Sequence, residues 1–97
     1  MTAYIANHRK KTRIFRKREE ELRHAIRHGL TVDKLHRAAE RLKEAKFAMF
    51  KSKFSQGSVL PASQFSLEEM AVRDPSVARW LNISPEEIIA KYSETAN

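Results

Sequence analysis

The chain has 97 residues, 41% of them apolar and 32% charged, with a formal net charge of +7 and no cysteine. That is one small domain's worth of chain, able to bury a modest core. No uninterrupted apolar run exceeds four residues, which excludes a spanning helix of roughly 20. Residues 1–18 show no apolar stretch that would serve as a signal peptide. Without cysteine there is no disulfide, thiolate metal site or cysteine nucleophile, and the composition fits a reducing compartment, the cytoplasm or a nucleus.

Charge is distributed unevenly. Residues 1–30 hold nine Lys/Arg against three Glu, residues 31–56 hold seven Lys/Arg against three acids, and residues 57–97 hold three Lys/Arg against six acids. The basic part is therefore the first 56 residues. A patch of this sign attracts phosphate backbones, anionic membranes or acidic protein faces.

From about Tyr4 to His28 the chain lacks Gly and Pro and is rich in Arg, Lys, Glu and Ala, which predicts a helix. Its apolar stripe is thin: Phe15, Leu22, Ala25 and Ile26. Glu19 stands four residues before Arg23 and Glu20 four before His24, spacings that suit ion pairs along a helix. From Asn7 to Arg13 no apolar side chain occurs, so this part is expected to project into solvent or onto a partner. Gly29 follows where the pattern stops and reads as the left-handed cap residue, with Leu30 making the hydrophobic contact just beyond it. Thr31 suits the N-cap of the next helix, with Asp33 in its first turn. So short a connection implies an antiparallel helical hairpin.

The second helix is expected over about Val32 to Phe54. Leu35, Ala38, Leu42, Ala45 and Met49 alternate spacings of three and four, as the seam positions of paired helices do. Leu22, Ile26, Leu35, Ala38 and Leu42 are expected inside the hairpin. Phe47, Phe50 and Phe54 form a stripe on another face, interleaved with Lys43, Lys46, Lys51 and Lys53. Such a mixture also suits a membrane-surface or calmodulin-target helix. The reading preferred here makes the aromatics core and lets the lysines snorkel from its edge, because helices that need a packing surface follow.

Residues 56–65 read as a linker by composition, with serine, glutamine, Gly57 and Pro61 around them. Three helix starts follow. Ser66-Leu67-Glu68-Glu69 is a capping box, Asp74-Pro75 sets an N-cap before proline at the first helical position, and Ser84-Pro85-Glu86-Glu87 combines both devices. Short helices are expected at about 67–73, 75–81 and 85–93. Trp80 is the expected aromatic anchor of this part.

Residues 74–93 resemble the helix-turn-helix pattern. Val77, Ala78, Leu81, Ile83 and Ile88 fall where that motif takes apolar and small residues, and Asn82 stands where the family prefers glycine. The resemblance implies a packed helix pair whose second member reads DNA. Glu86 and Glu87 open that member, where base contacts are made and carboxylates would meet phosphates. A structural or protein-binding use therefore suits the segment better.

The densest cluster is HRKKTRIFRKR, residues 8–18, with seven basic residues among eleven. Guanidinium forks pair with phosphate oxygens, so Arg9, Lys10, Lys11, Arg13, Arg16, Lys17 and Arg18 are the candidate nucleic-acid contacts. His24 and His28, with His36 beyond the turn, lie among arginines that repel a cation. The segment HAIRH lacks the glutamate of a metalloprotease helix. No metal, cofactor or catalytic constellation is expected. Both aspartates, Asp33 and Asp74, are helix-start residues, and the two glycines stand far apart.

The expectation is an all-α chain: a long antiparallel helical hairpin over residues 1–55, the linker at 56–65, and a small helical subdomain over 66–97 packed on the hairpin's aromatic end as one compact unit. Its expected function is that of a small non-enzymatic nucleic-acid-binding or regulatory protein, contacting RNA or DNA phosphates through the basic N-terminal helix. The alternative is a helical adaptor that binds a protein partner, an acidic one for the basic face, through the hairpin seam or the C-terminal subdomain. A hairpin of this kind can also pair with a second copy into a four-helix bundle.

Overall fold

The computed structural model describes residues 3–55 and 66–96, with side chains from 8 to 55 and from 66 to 94. It contains α1 (Ala3–Arg27), α2 (Val32–Phe54), α3 (Leu67–Arg73), α4 (Pro75–Asn82) and α5 (Pro85–Ala96). No strand occurs among the described residues. The chain is all-α, and its two long helices pack together along their length. The expected linker lies outside the described residues, apart from Ser55 before it and Ser66 after it.

Each helix boundary has a local cause. Gly29 sits at φ 59°. Its N–H bonds Ile26 O at 3.2 Å, while Leu30 N–H bonds Ala25 O at 3.1 Å. These are the two bonds of a Schellman cap, which needs a left-handed residue at this point. Leu30 remains 37% exposed, so the hydrophobic contact expected there is not the one that closes the turn; the backbone bonds suffice. Thr31 Oγ1 accepts from Lys34 N, Ser66 Oγ from Glu69 N, Asp74 Oδ1 from Ser76 N and Ser84 Oγ from Glu87 N. Four helix starts thus satisfy amide donors that have no partner inside the helix.

The hairpin seam is close to the expected one. Leu22, Ala39 and Leu42 are wholly buried, and Phe15, Ala25, Ala45 and Phe50 nearly so. Ile26, Leu35, Ala38 and Met49 are half-buried and pack against them. Ala39 replaces Ala38 at the tightest point, since a straight helix advances 3.6 residues per turn and drifts from a strict heptad.

The remaining helices cover the hairpin in two ways. α3 and α4 pack on each other and against α2, whereas α5 lies along both α1 and α2. Met70, Val77, Trp80, Ile88 and Tyr92 bring these helices into the common core. Phe50 is buried, while Phe47 and Phe54 are half-buried against the core. The aromatic stripe of α2 is thus packing surface, and α1 also reaches α4: Phe15 meets Trp80 edge-on at 6.3 Å between ring centroids. Lys43 Nζ donates to Ile83 O at 2.7 Å, fixing a cation where α4 ends, the end that favours positive charge.

The helix-turn-helix resemblance does not carry through to the packing. The α4 backbone rests against α3 and α2, and α5 leaves for the hairpin, so the two helices do not pack along each other. The extended Ile83 at the α4 C-cap (φ −76°, ψ 136°) carries the chain away instead of turning it back.

Candidate nucleic-acid interface

The basic segment lies in the N-terminal half of α1. Arg9, Lys10, Arg13, Arg16 and Lys17 are exposed, while Lys11 and Arg18 are half-buried. At 3.6 residues per turn these side chains divide between adjacent strips of one helix. Arg9, Arg13 and Arg16 border a shallow hollow together with His8 and Thr12. Lys17 borders a neighbouring hollow that also holds Glu20 and Glu21, so positive charge is densest toward the N-terminal end.

The candidates differ in what engages them. Arg18 Nη1 donates to both carboxylate oxygens of Glu21, at 2.9 and 3.1 Å, which offsets its charge locally. Among the described residues, Lys10, Lys11, Arg13, Arg16 and Lys17 have no carboxylate within ion-pair distance. The cluster therefore resolves into an exposed basic row with Lys11 and Arg18 at its margin.

The Asn7–Arg13 stretch does not stand away from the fold as expected. His8 Nδ1 meets the Oγ of the buried Ser52 at 2.9 Å, and Ser52 Oγ donates onward to Met49 O at 2.8 Å. Thr12 is half-buried, with its hydroxyl bonded to His8 O at 2.9 Å. The apolar count missed this because the contact is polar: a histidine docks the start of α1 on the end of α2. The antiparallel arrangement also brings Lys53 to the hollow that His8 and Thr12 line from the other side. Positive charge from α2 thus adjoins the basic row of α1.

The expected ion pairs change partner. Arg23 Nη1 pairs with Glu20 at 2.7 Å, and Glu19 is drawn to Tyr92 on α5, whose hydroxyl donates to it. Burial and that hydrogen bond push the Tyr92 phenol well above the ordinary tyrosine range. The His24 and His28 rings meet tilted, with centroids 4.2 Å apart, and His36 turns instead to Glu86 at 3.3 Å.

A second charged region went unnoticed in the sequence. Phe15, Glu19 and Arg23 of α1, Lys46 of α2, Trp80 of α4, and Lys91 and Tyr92 of α5 line a cleft of about 250 Å³. Lys46 Nζ lies 4.6 Å from the Phe15 ring centroid, 5.1 Å from Phe50 and 5.4 Å from Trp80. Lys91 Nζ lies 5.3 Å from Trp80, and the Arg23 guanidinium carbon lies 5.1 Å from Tyr92. Burial holds the Lys46 ammonium below the usual lysine range; Glu19 opposes the shift, and Lys91 and Lys53 add to it. The interleaving of Lys46 with phenylalanines was the available signal. Its convergence with Lys91 and Arg23 depends on α5 docking across both long helices, which no local pattern announces.

Comparison of the chain with protein-family models, with curated proteins and with solved structures returned no match.

Proposed function

We propose that the protein is a small non-enzymatic nucleic-acid-binding protein that holds RNA or DNA phosphates on the outward face of α1. The observation that carries this reading is the exposed row of Arg9, Lys10, Arg13, Arg16 and Lys17, with no carboxylate paired to Lys10, Arg13, Arg16 or Lys17 among the described residues. Exposed cations exchange their counterions for phosphates, and guanidinium groups add directed hydrogen bonds to phosphate oxygens. Lys53 at the adjoining end of α2 extends the positive field.

The mechanism is backbone neutralisation by a helix that the hairpin holds rigid. Phe15 and Leu22 anchor α1 on one side, so the basic row is presented without a separate folding step on binding. Contacts of this kind position a protein on nucleic acid and carry no sequence information by themselves.

An electrophoretic shift series against mixed RNA and DNA at two salt concentrations tests the reading. Arg13→Glu with Lys17→Glu is expected to lower affinity for every sequence alike. If neither nucleic acid shifts at low salt, the reading fails and the adaptor alternative takes its place.

A further inference from the structure

We propose that the cleft between α1, α2, α4 and α5 is a binding site for a phosphate monoester, with Lys46 and Lys91 as its cationic ligands. Both lysines approach the Trp80 ring, at 5.4 and 5.3 Å, and both line the same cleft. Neither has an acceptor or a carboxylate within bonding distance among the described residues. Each ammonium carries three donors, and the aromatic faces that hold it offer charge attraction without an acceptor lone pair. Lys46 is half-buried, so bulk water satisfies it less well than it does a surface lysine.

Glu19, the carboxylate that lines the cleft, accepts the Tyr92 hydroxyl instead of pairing with either lysine. Arg23 lines the cleft while Glu20 holds its guanidinium. The two lysines repel each other beside one ring, Glu19 in the same cleft offsets part of that repulsion, and a bound dianion adds the acceptors that neither lysine has. A phosphate monoester carries roughly −1.5 to −2 at pH 7 and presents three acceptor oxygens, which matches the donors on offer. The cleft's volume of about 250 Å³ lies below the roughly 300–1,000 Å³ typical of drug-sized ligands and suits a small phosphorylated group. This inference does not rest on the basic row of α1, whose residues 9–18 contribute to the cleft only through Phe15.

The same chemistry is offered by a free phosphate compound or by the terminal phosphate of a nucleic-acid strand. The test is a proton–nitrogen NMR titration of the full chain at constant ionic strength, observing the indole N–H of Trp80, the sole tryptophan, together with the Lys46 and Lys91 amides. The probes are inorganic phosphate, a nucleoside monophosphate, acetate, and a tetranucleotide with either a 5′-phosphate or a 5′-hydroxyl. Saturable shifts at Trp80, Lys46 and Lys91 are expected for the first two probes, with acetate at least tenfold weaker. A 5′-phosphorylated strand that binds tighter than the mononucleotide supports a strand terminus as source, and equal affinity supports a free compound. Lys46→Met, which keeps the apolar stem, is expected to weaken binding at least tenfold. Lys91→Gln, on an exposed side chain, is expected to weaken it several-fold. No shift at the cleft up to tens of millimolar phosphate, an equal response to acetate, or unchanged affinity in Lys91→Gln would overturn the proposal. Shifts confined to residues 8–18 would also overturn it while leaving the α1 reading intact.

Discussion

Gly29 shows how one backbone angle sets the topology. Its φ of 59° lies where L side chains are strained, and a Cβ built there meets nothing within 4 Å. The cost of substitution is therefore conformational, not steric. Gly29→Val is expected to destabilise by about 1 kcal/mol or more, and Gly29→Asn by less, as read from urea denaturation midpoints. Tyr92 gives a pH signature at the same scale. The fold keeps its phenol neutral beyond the ordinary range through burial and the bond to Glu19. Its contribution to stability is thus complete below about pH 10, the ordinary tyrosine value, and is lost as pH rises through the higher folded-state value. Tyrosinate absorbance should show a late-titrating phase that Tyr92→Phe removes, and between pH 10 and 12 the melting temperature of the parent should fall more steeply than that of Tyr92→Phe.

Helices were legible in the sequence because their signals are local. The end of α1 and the starts of α2 and α3 follow from Gly29, Thr31 and the Ser66 capping box, which act locally. The seam residues Leu22 and Leu42 follow from spacing. What spacing does not encode is which helix a second apolar stripe meets. Phe47, Phe50 and Phe54 called for a partner, but the meeting of Phe15 with Trp80 in the same core joins residues 65 apart in the chain. The pairing of His8 with Ser52 escaped for a related reason, since apolar patterning is blind to a polar docking contact. Among the candidate contacts, the sequence located the basic segment but not the division between exposed Arg13 and the Glu21-bound Arg18. Ending the chain after residue 56 removes Trp80, Met70 and Val77 from the core and uncovers Phe15 and Phe50. Soluble monomers avoid exposed apolar patches of that kind. The shortened hairpin is expected to self-associate in sedimentation runs, and a monomer of unchanged stability would show that the C-terminal helices do not protect those rings.

Across the whole molecule, charge is concentrated on the hairpin while all five helices share the core. The structure extends 45 × 29 × 20 Å, drawn out along the hairpin. Sixteen of its nineteen Lys/Arg lie in the first 56 positions, and the mildly acidic C-terminal helices pack on the hairpin and complete the core. None of the described helices is long and apolar enough to cross a membrane. The central claim is that the outward face of α1 binds phosphates by charge. The most direct measurement is the slope of log affinity against log salt for a fluorescently labelled RNA and DNA, read by anisotropy. Engagement of the five exposed cations predicts a slope of roughly −3.5 to −4.5, and Arg13→Glu with Lys17→Glu should flatten it by roughly 1.4–1.8 while lowering affinity for all sequences. A slope near zero, or one that the double variant leaves unchanged, would contradict the claim.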